Sequence, residues 1–316
     1  MKKMKMFVLL FMVLVLLVAS NVYAADPTIL VSPKGTDSPY WLVVKAGAEA
    51  AAEEFGANIV WQGPQKETDI AKQVSVIENY IIQNVDAIVM AATDAHALVP
   101  PLKRAKDNNI PVITIDSGVA DESIATAHVA TDNVSAAEKA ADILATLIGE
   151  EGEVGVIPFV AGAATSMARE DGFKQGLKKY PGMELVATQY SQADIATAMQ
   201  VTENMLTANP NIKGIFAANL PGGVGAGRAL KSRGLEDDVV LVSFDGGDTL
   251  INQLKEGSVD ALVVQRPYQM GYLGVQYAIK AINGEDVPGF LDTGSIVALR
   301  DNINDPVVHK VLFPNE

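Results

Sequence analysis

From residue 28 onward, short apolar runs rich in valine, isoleucine and alanine alternate with longer stretches whose apolar positions fall three and four apart. The first pattern suits strands buried on both faces, the second amphipathic helices. Strands are predicted over 28–32, 58–61, 87–91, 111–116 and 125–130, with helices over 40–55, 68–83 and 95–107 between them. A second series follows, with strands over 154–159, 183–190, 212–218, 239–245 and 260–264 and helices over 166–180, 194–208, 223–232 and 248–256. Strand after strand reached through a helix implies right-handed crossovers and parallel sheets covered on both faces. The chain therefore reads as α/β, built from two doubly wound, Rossmann-like parallel-sheet lobes.

Two of the predicted strands end alike. PVITIDSG (111–118) runs from an apolar strand into Asp116, and VVLVSFDGGD (239–248) runs into Asp245. Doubly wound sheets bind ligands beyond the carboxyl ends of their strands. Each lobe thus offers one carboxylate to a crevice, followed by small residues that allow close approach. The competing reading of Asp-Ser-Gly and Asp-Gly-Gly is a turn or a helix cap.

The amino terminus departs from this alternation. Lys2, Lys3 and Lys5 precede an uncharged apolar core over 7–19, and Val22-Tyr23-Ala24 follows as a cleavage pattern. This reads as a secretory signal peptide over 1–24, its core short of the roughly 20 apolar residues a membrane span needs. Losing those three lysines takes the net charge from −14 to −17. Such an excess of acid argues against nucleic acid, whose affinity rests on phosphate neutralisation, and against an anionic membrane surface. Cysteine is absent, so an exported chain has no disulfides and no residue to carry a lipid at the cleavage point. A freely diffusing periplasmic protein is expected.

Motifs of catalysis are missing. PGGVGAGRAL (221–230) looks like a phosphate loop, yet Gly223 and Gly225 would need a glycine at 228, which is Arg228. Neither G-x-x-x-x-G-K-[ST] nor G-x-S-x-G occurs. His96, His128 and His309 lie far apart without metal-ligand spacing, and no cofactor is expected. A nucleotide- or sugar-dependent α/β enzyme using the same cleft is the alternative.

DSPYW (37–41), PVITIDSG, HVATDN (128–133), TSMAREDGF (165–173), ENMLTANPNIKGIFAAN (203–219), VSFDGGD (242–248) and VVQRPYQMG (263–271) occur in this order along the chain. In order and spacing they resemble the periplasmic sugar-binding proteins of the ribose-binding type, the soluble receptors of ABC importers. The resemblance implies the type I periplasmic binding protein fold, two lobes joined by a hinge that the chain crosses three times. The crossings would fall near Thr131 and Asp132, Gln265 and Arg266, and Thr293 and Gly294. One lobe would then hold 25–131 plus 266–293, including a helix over 268–282, and the other 132–265 plus 294–316.

Polyhydroxy ligands need partners for every desolvated hydroxyl, and planar charged groups can take them in pairs. The resemblance assigns Asp116 and Asp245 as acceptors, Arg169 as a donor, Asn219 as a two-way hydrogen bonder and Gln265 as a hinge contact. Tyr40 and Trp41 stand where the family packs rings on a sugar's C–H face. Three contact positions depart from the ribose pattern: Ser117 replaces an arginine, Ala193 an aromatic ring and Ser38 an asparagine. The loop 33–38 is also two residues longer. Smaller side chains enlarge the pocket, which argues for a bulkier or modified sugar, or a polyol. The implied partners are that small polyhydroxy ligand and an inner-membrane ABC permease, with a chemoreceptor as a further candidate and the receptor itself a monomer.

Overall fold

A computed structural model describes residues 26–313; the expected signal peptide lies outside them. Two six-stranded sheets form. The first has the order β11-β5-β4-β3-β1-β2, from β1 (Thr28–Ser32), β2 (Asn58–Trp61), β3 (Ala87–Met90), β4 (Val112–Ile115), β5 (Ala127–Ala130) and β11 (Phe290–Asp292). The second repeats it as β12-β10-β9-β8-β6-β7, from β6 (Glu151–Ile157), β7 (Gly182–Thr188), β8 (Ile212–Ala217), β9 (Val240–Phe244), β10 (Ala261–Val264) and β12 (Ile296–Leu299). Wholly parallel sheets were expected; in the second, β12 runs antiparallel to β10.

Helices cover both faces of each sheet. They are α1 (Pro39–Phe55), α2 (Ile70–Ile82), α3 (Val99–Asp107), α4 (Asn133–Ile148), α5 (Ala164–Leu177), α6 (Ile195–Ala208), α7 (Leu220–Arg233), α8 (Asp248–Glu256), α9 (Pro267–Ile282) and α10 (Pro306–Leu312). Local chemistry sets their ends. Asp132 and Asp194 accept from backbone N–H groups as the N-caps of α4 and α6, and left-handed glycines, Gly56 and Gly234, close α1 and α7.

Helix α4 is absent from the sequence-based elements, which pass from 130 to 154. Its buried face is mostly alanine, Ala136, Ala137, Ala140, Ala141 and Ala145, so no large apolar side chains mark its period. That small face admits α5 closely: a Cβ on Gly172 would lie 2.4 Å from the Val134 carbonyl oxygen. The short elements β11, β12 and α10 were also unforeseen, each too brief to show periodicity.

The chain passes between the sheets three times, after β5, after β10 and between β11 and β12. Asp292 ties the first passage to the third: its Oδ1 accepts from the N–H of Asp132 at 3.0 Å and of Gly294 at 2.8 Å. The returning helix α9 is pressed on α1 through glycines. A Cβ on Gly271 would lie 1.9 Å from the Val44 carbonyl oxygen, and one on Gly47 the same distance from that of Tyr268. Gly271→Ala should therefore destabilise the chain by about 1–3 kcal/mol through overpacking. A thermal midpoint equal to the parent's would show that the helices do not pack this closely.

Candidate functional site

Strands β4 and β9 hold matching places in their sheets, and each is followed by an aspartate in the left-handed region, φ 56° at Asp116 and 75° at Asp245. Asp and Asn tolerate that region better than most residues, at a cost that tends to be borne where function needs it. Each N–H still donates to the neighbouring strand, Asp116 to the Val129 carbonyl at 3.0 Å and Asp245 to that of Val263 at 2.9 Å. The turn of the backbone ends the ladder one residue earlier than the sequence predicts. It also carries both carboxylates into one cavity between the sheets.

On the first sheet's side, Asp116 is doubly engaged. Its Oδ1 accepts from the Tyr40 hydroxyl at 3.0 Å, and its Oδ2 lies 2.8 Å from the Lys34 Nζ. Lys34 is buried and reaches across the cleft, donating to Thr165 Oγ1 at 3.0 Å. The same ammonium lies 3.9 Å from Glu67, whose Oε1 accepts from Trp41 Nε1 at 3.1 Å. It also stands 5.6 Å from the Trp41 ring and 5.2 Å from that of Phe159, within cation–π range. Burial pushes the Glu67 carboxyl up, while Lys34 draws it back. Burial, and then the charge of Asp116, holds the Tyr40 phenol well above its ordinary range.

On the second side, Asp245 Oδ2 accepts from the Leu220 N–H at 2.9 Å, at the positive end of α7, and Oδ1 from Gln265 Nε2 at 2.6 Å. Burial raises its carboxyl, opposed first by Arg169 and then by those two donors. Arg169 donates from Nε to Asn133 Oδ1 and from Nη1 to the Ala218 carbonyl, both at 2.8 Å. Its guanidinium carbon stands 3.8 Å from the Phe244 ring centre, within cation–π range. Asn219 caps α7, its Oδ1 accepting from the Gly222 N–H at 2.9 Å.

Of the residues singled out from sequence, Ser38, Tyr40, Trp41, Asp116, Arg169, Asn219, Asp245 and Gln265 line this cavity together. Ser117 and Ala193 do not. Ser117 turns behind Asp116, fully buried, its N–H donating to Ile115 and its carbonyl accepting from Ala92. Ala193 packs on the second lobe's core. Lys34, Glu67 and Phe159 also line the cavity and were missed. Lys34 stands two residues beyond β1, near a strand end as Asp116 is, a position that strand-end reasoning reaches; Glu67 carries no such signal. With Lys34 drawn to Thr165, the space left is about 20 Å³, room for roughly one water.

Lys34→Met tests this wall. It removes the charge that draws Glu67 down, so that carboxyl keeps its proton further above its ordinary 4.5. Above that value the folded chain then binds more protons than the unfolded one, and stability falls as pH rises. The variant should lose about 1–3 kcal/mol, with a larger fall in melting temperature at pH 8 than at pH 5. An equal fall at both would detach Glu67 from Lys34.

Among the described residues, no group of His, Asp or Glu side chains could hold a metal ion, and no helix is long and apolar enough to cross a membrane. The glycines of PGGVGAGRAL lie inside α7 as packing points: a Cβ on Gly223 would meet Ser243 Oγ at 1.9 Å and one on Gly225 the Ala198 side chain at 2.5 Å.

A family model, periplasmic binding protein domain, matches residues 29–286. The ribose import binding protein RbsB of Escherichia coli K12 is 31% identical over 270 residues, covering 85% of this chain and 89% of that protein. An ABC transporter solute-binding protein from Agrobacterium vitis, solved with bound D-fucose, is 40% identical with a TM-score of 0.88, over 90% of this chain and 99% of that one. A carbohydrate transporter solute-binding protein from Agrobacterium radiobacter, in complex with D-arabinose, is 37% identical with a TM-score of 0.88, over 91% and 99%. These are transport proteins, and nothing in them supports the enzyme alternative. On a family match across most of its length and solved relatives of the same architecture over 90% or more of it, the chain belongs to the periplasmic binding proteins, with the sugar-binding proteins of the ribose-binding type.

Proposed function

We propose that this chain is the receptor of an ABC importer for one monosaccharide or closely related polyol, bound between the lobes by hinge closure. The observation that carries the proposal is the pairing of Asp116 and Asp245, matching strand ends of two sheets that line one cavity. Tyr40, Trp41 and Asp116 come from one lobe, 25–131 plus 266–293. Arg169, Asn219 and Asp245 come from the other, 132–265 plus 294–316, with Gln265 at the hinge. A guest touching both sets binds the closed form better than the open one, and that difference drives closure. Export by the segment 1–24 would deliver a monomer to the periplasm, where the closed form meets its permease and, as a second partner, a chemoreceptor.

A thermal-shift panel of D-fucose, D-arabinose, D-ribose, D-allose, D-tagatose and common polyols tests this reading. One strong response is expected, since a ligand at 1,000 times its Kd adds about 4.1 kcal/mol. Silence across the panel, with a shift by nicotinamide dinucleotides, would defeat it.

A further inference from the structure

The lobes meet closely on the side of β1 and β3, where the Ala95 N–H donates to the Gly162 carbonyl at 3.0 Å and Lys34 reaches Thr165. They stay apart where α1 faces α10. There a second cavity of about 420 Å³ opens directly beside the first. Tyr40, Leu220, Asp245 and Gln265 line both, so a tight, charged cavity and a wide one adjoin across these four side chains. Much of the wide cavity's wall is apolar, Val43 from the first lobe and Leu220, Val264, Val311, Leu312 and Phe313 from the second, with Asp248 and Thr249 on the second lobe's side as its polar margin. Its volume falls in the range of small-molecule sites, and both lobes supply it, so a guest there would be held by the closed form alone.

We propose that the wide compartment takes an apolar substituent attached to the sugar, making the ligand a glycoside with an alkyl or aryl aglycone. The proposal rests on the sugar-receptor reading above. The ring sits between Asp116 and Asp245, whose acceptors suit hydroxyls. The aglycone leaves past Tyr40 and Leu220 into the groove, where Val43 and Val311 close on it. A bare monosaccharide has no apolar group to place there, and burying apolar surface is what such walls favour.

Isothermal titration with D-fucose, D-arabinose, D-ribose and D-allose and with the methyl and phenyl glycosides of each decides the matter. For the sugar that binds, the phenyl glycoside should bind at least about tenfold more tightly than the methyl glycoside, a difference of roughly 1.4 kcal/mol. Val43→Trp and Val311→Trp fill the compartment from opposite walls. Each should cut that advantage to about twofold or less, while the free sugar keeps its affinity. A phenyl glycoside no tighter than the methyl one, or an advantage that survives both tryptophans, overturns the inference and leaves the sugar reading standing. If none of these binds while D-tagatose or a polyol does, this inference falls and the receptor reading stands; if no sugar, polyol or glycoside binds, both fall.

Discussion

Asp245→Ala should abolish the sugar response of the chain while leaving the unliganded fold in place. Hydrogen bonds to a charged acceptor are worth about 1.5–3 kcal/mol each, and two hydroxyls on one carboxylate would carry a loss of affinity of about 100-fold or more. The fold should tolerate the change because burial already opposes the ionised carboxyl. What the variant loses in acceptors for the Leu220 N–H and Gln265 Nε2 is offset by removal of that desolvation cost. Acid should mimic the substitution. Asp245 takes up its proton above the ordinary 3.8, so affinity should decline on acidification before free aspartates titrate. Titration calorimetry of parent and variant against the strongest sugar of the panel checks both points, and unchanged affinity in the variant would remove Asp245 from the site.

Arg169→Met should be the most destabilising single change in the cleft, costing about 2–4 kcal/mol, because two buried acceptors lose a charged donor. Arg169 is 2% exposed, so water cannot replace its guanidinium. Its loss strands Asn133 Oδ1 and the Ala218 carbonyl, withdraws the positive charge that opposes Asp245's desolvation and opens a void over Phe244. Asn133 begins α4, the first element after the chain leaves β5, so the damage reaches the hinge. Arg169→Lys should recover only part of the loss, because an ammonium cannot reproduce the planar fork. Chemical denaturation measures both; a deficit below about 1 kcal/mol for the methionine variant would mean the charge is not truly buried.

The sequence is most legible where large apolar side chains carry the pattern. The strand runs into Asp116 and Asp245 stand out because valine, isoleucine and phenylalanine stop abruptly at a carboxylate, and each strand is one residue shorter at either end than the sequence predicts. A positive φ, which depends on what surrounds the turn, is invisible in a sequence. Helix α4 was unread for the converse reason, its inward face being alanine. The glycines of α7 resembled a phosphate loop and are instead where Ser243 and Ala198 press against a helix. Arg169 became a candidate only through family resemblance, since nothing in TSMARED distinguishes a buried arginine from a solvated one. Lys34 and Glu67 stand 33 positions apart in the chain, a pairing that only the meeting of the segments after β1 and β2 creates.

The most direct test is a crystal structure of the chain with the strongest-binding sugar or glycoside. One molecule is expected, with hydroxyls on Asp116 from the first sheet and on Asp245 from the second, the Lys34 ammonium moved aside to admit it. A guest held by one lobe alone, or seated away from both carboxylates, would contradict it.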